Sequence, residues 1–265
     1  MNLEVNAAFS KQSVYFDEYD YSNEILVYMR TQVRNHVLRF LKKNDYILEL
    51  NAGTGLDACF FADYGCSIHA TDISDGMLKR FQKKLDTNPH LQEKIQLQKC
   101  SYTELDHVKA NQFDYVFSNF GGLNCIPDLR EVTKYLPNML KKGAYISWVI
   151  MPPVCLWEIK DIFKGQFASA LRRFKKNGTK AHLEGEYFDV FYFTPSQVQK
   201  SFGKSFKLVS LEGMGGIMPP PSKENFPEKH PKLFQKLIKW DEKLRVYFPF
   251  NAWADHFIIT LQYTG

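Results

Sequence analysis

The sequence predicts an α/β protein on a doubly wound, mostly parallel sheet of seven strands, with an insertion after strand five and an antiparallel last strand. Three observations carry this. Short apolar runs alternate with stretches of helical periodicity along most of the chain. The first of these runs opens into a glycine turn before its helix. And 265 residues, 45% hydrophobic and 15% aromatic, are enough to bury one full core. The chain 1–265 therefore reads as a single domain.

In order, apolar residues at Ile25, Leu26, Met29, Val33, Val37, Phe40 and Leu41 mark one face of a long opening helix over Ser22 to Lys43, with Ser22 as its cap. Residues 1–43 form an N-terminal segment ending in this helix. Tyr46 to Leu50 is the first strand. Asn51-Ala-Gly-Thr-Gly55 turns into a helix from Leu56 to Tyr64, closed by Gly65. Ser67 to Thr71 is the second strand, Ser74 caps the next helix, and Ile95 to Lys99 is the third strand. Phe113 to Ser118 follows as the fourth. A helix is expected from Asp128, with Asp128 and Glu131 as a capping pair and Lys141-Lys-Gly143 at its end. Ala144 to Met151 is the fifth strand, stopped by Pro152-Pro153.

The alternation breaks over Val154 to Phe193, so residues 154–193 are an insertion, expected to form a substrate lid. Thr194-Pro195 opens a helix to Phe202, and Phe206 to Leu211 is the sixth strand. Residues 213–247 are a second irregular and helical insertion, in which Gly213 to Pro221 has the composition of a hinged lid. His256 to Tyr263 closes the chain as an antiparallel strand at or near the sheet edge.

Composition narrows the function. Lys+Arg 34 against Asp+Glu 29 gives a net charge of +5, too little for a nucleic-acid coat. Lys160 to Lys180 holds seven basic side chains and one acid, so an anion-seeking surface is expected there. The five cysteines are odd in number and scattered, without a C-x-x-C pair, which disfavours a disulfide framework and a structural zinc and fits a reducing cytoplasm. No stretch reads as a signal peptide or a transmembrane span.

In an open α/β sheet a ligand binds beyond the carboxyl ends of the strands where strand order reverses. Gly53 and Gly55 let the backbone approach a ligand, and Asn51 is the non-glycine residue best suited to positive φ. Glu49 lies near the strand end, where a carboxylate needs a cation or a hydrogen bond. Asp72 is placed to accept ribose hydroxyls. Gly53-Thr-Gly55-Leu-Asp-Ala58 matches G-x-G-x-x-A, with Asp72 nineteen residues on, so a dinucleotide such as NAD competes with an adenosyl amino-acid cofactor. Glu49 weighs against the dinucleotide: it would repel a pyrophosphate and attract an ammonium. A glycine turn that holds no ligand is the third reading.

Glu49 to Gly55, Ala70-Thr-Asp72-Ile-Ser and Phe113-Asp-Tyr-Val-Phe-Ser-Asn119 resemble, in order and spacing, three motifs of class I S-adenosylmethionine-dependent methyltransferases. Tyr15-Phe-Asp-Glu-Tyr19 and the helix after it resemble the cofactor-closing segment of the small-molecule, quinone-methyltransferase-like branch. The resemblance covers roughly Tyr15 to Met151, and more loosely Thr194 to Leu211 and the last strand. It implies a Rossmann-like methyltransferase fold, S-adenosyl-L-methionine as cofactor with S-adenosyl-L-homocysteine as product, and direct in-line methyl transfer. Glu49, Asn51, Ala52, Gly53 and Gly55 would hold the methionine part, with Tyr15 and Tyr19 closing over it. Asp72 would take the ribose. Ile73 and Met77 would flank the adenine, with Cys100, Ser101 and Tyr102 at its edge and Ser101 in the slot of a common acid. Asn119 and Phe120 would lie beside the reacting methyl. Asn51 departs from the family's first glycine.

The acceptor is expected to be a small molecule. After the fourth strand the chain reads Asn119-Phe-Gly-Gly122 instead of the proline-proline-aromatic motif of adenine- and glutamine-directed relatives, and no Pro-Cys pair exists for pyrimidine carbon methylation, so nucleic-acid bases are unexpected targets. No His/Asp/Glu group has metal spacing. Glu158 and His256, the latter with Asp255, are candidate bases, as is His182. Trp157 and the rings from Tyr187 to Phe193 would wall an apolar pocket or simply anchor the insertion. Arg172-Arg-Phe-Lys-Lys176 is most simply a solvated helix face. An RNA or protein methyltransferase, an NAD-dependent oxidoreductase and an inactive cofactor-binding partner subunit are the alternatives.

Overall fold

The computed structural model describes residues 2–108, 110, 112–160, 165, 171–175 and 177–265. Much of the segment expected to be strongly basic, including Lys164 and Lys176, lies outside the described residues. Three helices come first: α1 (Asn2–Gln12), α2 (Phe16–Ser22) and α3 (Glu24–Leu38). The cap of α3 is Asn23 and not Ser22: the Asn23 side chain accepts from the amides of Ile25 and Leu26, satisfying two donors that a helix start leaves unpaired. Ser22 instead closes α2.

Strands β1 (Tyr46–Leu50), β2 (Ser67–Asp72), β3 (Ile95–Lys99), β4 (Phe113–Ser118) and β5 (Leu140–Ile150) are mutually parallel, with α4 (Leu56–Tyr64) and α5 (Asp75–Asp86) as crossovers. The seven-stranded sheet has the order β3-β2-β1-β4-β5-β9-β8, where β8 is Phe206–Met214 and β9 is His256–Tyr263. β9 runs antiparallel to both its neighbours and lies one strand in from the edge, which β8 forms. Its inner position explains why His256 to Leu261 is buried on both faces.

The helix expected from Asp128 is two single turns, Arg130–Thr133 and Leu136–Met139. Pro137 has no amide hydrogen to donate back into a continuous helix. Lys141 to Gly143 belongs to β5, where the register against β4 shifts and Gly143 takes φ 87°. The insertion contains a hairpin, β6 (Thr179–Leu183) and β7 (Glu186–Val190). Its two-residue turn, Glu184-Gly185, has φ 53° and 81°, the left-handed pair that a tight hairpin demands.

The sheet is covered on both faces. One apolar cluster joins α3, α4 and α5 to Ile47, Tyr115 and Phe117. The other joins Leu48, Val116, Ile146 and Trp148 to the helix Pro195–Phe202. Strand order reverses between β1 and β4, so the loops after these two strands lie side by side. Among the described residues no helix is long and apolar enough to cross a membrane.

Candidate active site

The loops after β1 and β4 are tied by side chains. Asn51 has φ 47°, the left-handed conformation expected of it; its Nδ2 donates to the Asn119 carbonyl at 3.1 Å and its Oδ1 accepts from Ser118 Oγ at 2.6 Å. Gly53 takes φ 58°, and its amide donates to Asp72 Oδ2 at 2.8 Å, fastening the glycine turn to the end of β2. The other Asp72 oxygen accepts from the Ser74 amide at 2.7 Å. Burial raises the Asp72 carboxyl above its ordinary range, against these backbone donors.

Gly55 serves a different purpose from Gly53. A Cβ on Gly55 would lie 2.3 Å from the Phe81 ring, so the missing side chain lets α5 pack against the turn. It does not border the cavity that the other residues share. That cavity, of about 380 Å³, is lined at the strand ends by Glu49, Asn51, Ala52, Gly53, Asp72, Ile73, Met77, Ser101, Tyr102, Asn119 and Phe120. Eleven of the fifteen residues expected at the cofactor are thus brought together. Cys100 lies behind the wall, its amide bonded to the Asp72 carbonyl. Tyr15 and Tyr19 are also off the wall, partly exposed, and the N-terminal segment contributes Val5, Phe9 and Phe16 instead.

Charge in the site is organised around Asp57, which the sequence reading passed over. Arg30 and Arg34 stand one helical turn apart on α3 and both reach it: Arg30 through a short ion pair, Arg34 Nε at 2.7 Å. Asn119 Nδ2 donates to it at 2.7 Å, and Arg30 also grips Asp20 of α2. The Arg30 guanidinium lies 4.7 Å from the centre of the Phe120 ring. Burial pushes Asp57 up, but the two arginines outweigh it and hold it below the ordinary range.

Glu49 has no such compensation. Its side chain is buried on the cavity wall, and its Oε2 has no hydrogen-bond partner among the described residues. Burial, then repulsion from Asp57, raises its carboxyl well above the usual range despite Arg30 and Arg34. A buried carboxylate oxygen left unpaired beside a cavity fits an incoming cation.

The candidate bases fare differently. Glu158 is clamped by Arg172 and Arg173, and His256 Nδ1 meets Asp255 at 2.9 Å; neither borders the cavity. Arg173 is only 4% exposed and sits between Glu158 and Asp255. It is therefore a buried structural cation and not part of a solvated basic face. Glu158, an acid engaged by two guanidiniums, is a poor proton acceptor, whereas the His256 ring lies behind Phe120, 5.9 Å from it edge-on. His182 on β6 does line the cavity, its ring 4.6 Å from that of Tyr187.

The roof consists of α1 and the β6–β7 hairpin, whose Val5, Ala8, Phe188 and Val190 form one apolar cluster with Cys125. These elements are latched together. Lys11 pairs with Glu186 at 2.6 Å, and the Tyr15 hydroxyl donates to Glu184. On the other side α1 is docked on α5, where the Gly76 amide donates to Ser10 Oγ at 2.9 Å.

Residues 47–143 match a family model described as a methyltransferase domain. No curated protein matches the chain significantly in sequence. Among solved structures, a putative S-adenosylmethionine dependent methyltransferase from Listeria monocytogenes superposes with a TM-score of 0.61 at 17% identity, over 87% of this chain and 96% of that one. The CcbJ methyltransferase from Streptomyces caelestis gives 0.58 at 14% identity, over 88% of each chain. Phosphoethanolamine N-methyltransferase 2 from Haemonchus contortus, in complex with S-adenosyl-L-methionine, gives 0.55 at 16% identity, over 88% of this chain and 53% of that one. The likeness to these structures is one of fold. Together they give a methyltransferase-domain match over residues 47–143 on a Rossmann-like methyltransferase fold, which favours S-adenosyl-L-methionine over a dinucleotide at the glycine turn.

Proposed function

We propose that the enzyme methylates a small, largely apolar acceptor held under the roof formed by α1 and the β6–β7 hairpin. One observation carries this reading. The cavity that begins at Glu49 and Asp72 continues beneath Val5, Phe9, Leu183 and Phe188, and the elements above it are joined by the Lys11–Glu186 and Tyr15–Glu184 contacts. A folded protein or a nucleic acid would need an open groove, whereas a small apolar molecule suits a closed one. The burial of Arg173 also removes part of the basic surface that a macromolecular substrate would use.

When bound, S-adenosyl-L-methionine supplies a methyl group on a sulfonium whose leaving group is already activated. The chain's part is to bind, orient and exclude water. Glu49 accepts from the cofactor's ammonium, Asp72 from the ribose hydroxyls, and Ile73 and Met77 pack against the adenine, with Ser101 and Tyr102 at its edge. Residues 1–43 and 154–193 close the site, and 213–247 support it from outside. His182 accepts the acceptor's proton at a ring nitrogen where the acceptor carries one. Five free cysteines, four of them buried, fit a reducing cytoplasm.

Incubation with methyl-labelled S-adenosyl-L-methionine tests the reading, with a panel of small phenols, quinols, amines and carboxylic acids set beside RNA and protein. Label is expected in a small molecule. Label found only in macromolecules would overturn it. With an acceptor in hand, His182→Ala lowers kcat by about 10²–10⁴-fold and leaves the affinity for S-adenosyl-L-homocysteine unchanged; an unaltered kcat removes His182 from the proton transfer.

Two substitutions probe cofactor closure. Asp72→Ala weakens S-adenosyl-L-homocysteine by about 1.5–3 kcal/mol, the weight of charged hydrogen bonds, and equal affinity in calorimetry would place the ribose elsewhere. In Gly76→Ala the new Cβ would lie 2.5 Å from the Ser10 carbonyl oxygen. Undocking α1 costs roughly 1–3 kcal/mol and appears as faster release of S-adenosyl-L-homocysteine. A release rate equal to wild type would mean that α1 does not gate the site.

A further inference from the structure

Far along the chain from the glycine turn, the helix Pro231–Leu244 and the turn after it carry a surface that the methyl-transfer reading does not use. The helix is fixed from within. Phe234 is buried in the core, and the buried Asp241 side chain accepts from the amides of Gly215, Ile217 and Met218. Its end is held by Arg245, which pairs with Glu212 at 3.1 Å and whose carbonyl accepts from the Gly213 amide at 2.8 Å.

The outer side is chemically divided. Lys232, Lys236, Lys239 and Lys243 recur at three- and four-residue spacing and are all exposed, forming one stripe. Among the described residues none of these four lysines makes an ion pair or a hydrogen bond. Leu233 and Trp240, seven apart, form the neighbouring edge. Beyond the helix stand Val246, Tyr247 and Phe248, with Trp253 packed edge-on against Phe248 at 5.4 Å. These six apolar side chains are 38–71% exposed, although their size favours burial.

We infer that this surface docks on an anionic lipid bilayer, the lysine stripe facing the headgroups and Trp240 and Phe248 entering the interface. The charge complementarity is one-sided: the acid closest in sequence to the stripe's end, Glu242, is turned toward α3, where it accepts from Tyr28 and Gln32. Lysine alone, without arginine, suits dispersed headgroup charges more than bidentate recognition of a single phosphate. Amphipathic residues with an apolar body and a polar tip, Trp and Tyr, belong at such an interface, and lysine stems lie along apolar surface while their heads stay wet. Nucleic-acid binding would pair such lysines with a groove that tracks the backbone, whereas here the aromatic side chains lie exposed at the helix end.

Sedimentation of the full chain with phosphatidylcholine vesicles, with and without phosphatidylglycerol, tests the inference, read together with tryptophan emission. Binding is expected only to the vesicles containing phosphatidylglycerol, weakening with added salt, with a blue shift of the emission. Each lysine changed to Gln should cost about fivefold in vesicle affinity, and Trp240→Ala with Phe248→Ala should abolish the residual binding. All variants should keep the wild-type melting temperature and affinity for S-adenosyl-L-homocysteine, since none of these residues touches the active site. Absence of vesicle binding, binding that survives all these substitutions, or binding of RNA or polyglutamate in place of vesicles would each overturn the inference.

Discussion

Glu49→Gln raises the melting temperature of the cofactor-free protein and weakens S-adenosyl-L-homocysteine by about ten- to a hundredfold, the range of one charged hydrogen bond. Both effects come from the same buried oxygen. In the free protein the Glu49 carboxyl is raised by burial and by Asp57, so it favours its protonated form. A group whose pKa is raised by folding contributes stability that is complete below its unfolded value, about 4.3, and lost as pH climbs through the folded value. Above the folded value the loss is complete, and Gln avoids it. An arriving ammonium reverses the balance by favouring the carboxylate. Cofactor affinity should therefore rise with pH until Glu49 ionises in the free protein and then level off, with a proton released on binding below that point. Glu49→Gln should be flat over the same range. Unchanged affinity together with an unchanged pH profile would mean that the ammonium is bound elsewhere.

Arg30→Met has the opposite sign. Removing the guanidinium leaves Asp20 and Asp57 buried without their shared partner, and breaking such a pair costs about 3–5 kcal/mol. For a chain of this size that is a fall in melting temperature on the order of 10 °C. Arg30 is 7% exposed and joins α2, α3 and α4 beneath the cavity. The effect should thus extend from stability to the placement of Phe120 and Asn119. Asp20→Asn added to Arg30→Met should recover part of the loss, because one of the stranded charges is then gone. If thermal unfolding shows the single variant as stable as wild type, the network is replaceable and does not hold the site together.

The parallel half of the fold was legible because its signals are local. Tyr46 to Leu50 and Phe113 to Ser118 are apolar runs that stop at turn residues, and Asp72 follows its strand directly. The residues on those strand ends that line the cavity were legible for the same reason. What escaped depends on contacts between distant segments. Asp57 reads as an ordinary acid in the first turn of a helix; only Arg30 and Arg34, spaced to share a helix face, hinted that a buried carboxylate waited opposite them. The Glu184-Gly185 turn between Ala181–Leu183 and Tyr187–Val190 was a hairpin signal, but aromatic and basic neighbours masked the alternation. Glu158 looked like a base because its partners, Arg172 and Arg173, are brought to it only by the folding of the insertion, and Arg173 likewise reaches Asp255, the neighbour of His256, through tertiary packing. The N-terminal closing segment was expected, yet its contacts fell to Val5, Phe9 and Phe16 instead of the tyrosines, since α1 turns its apolar side to the cavity and leaves Tyr15 to bond Glu184.

The most direct test of the account is calorimetric titration of the purified chain with S-adenosyl-L-homocysteine, with NAD titrated in parallel. Micromolar binding of S-adenosyl-L-homocysteine and none of NAD is the predicted result. Binding of NAD alone would contradict it, and would mean that the carboxylate of Glu49 tolerates a pyrophosphate beside the glycine turn.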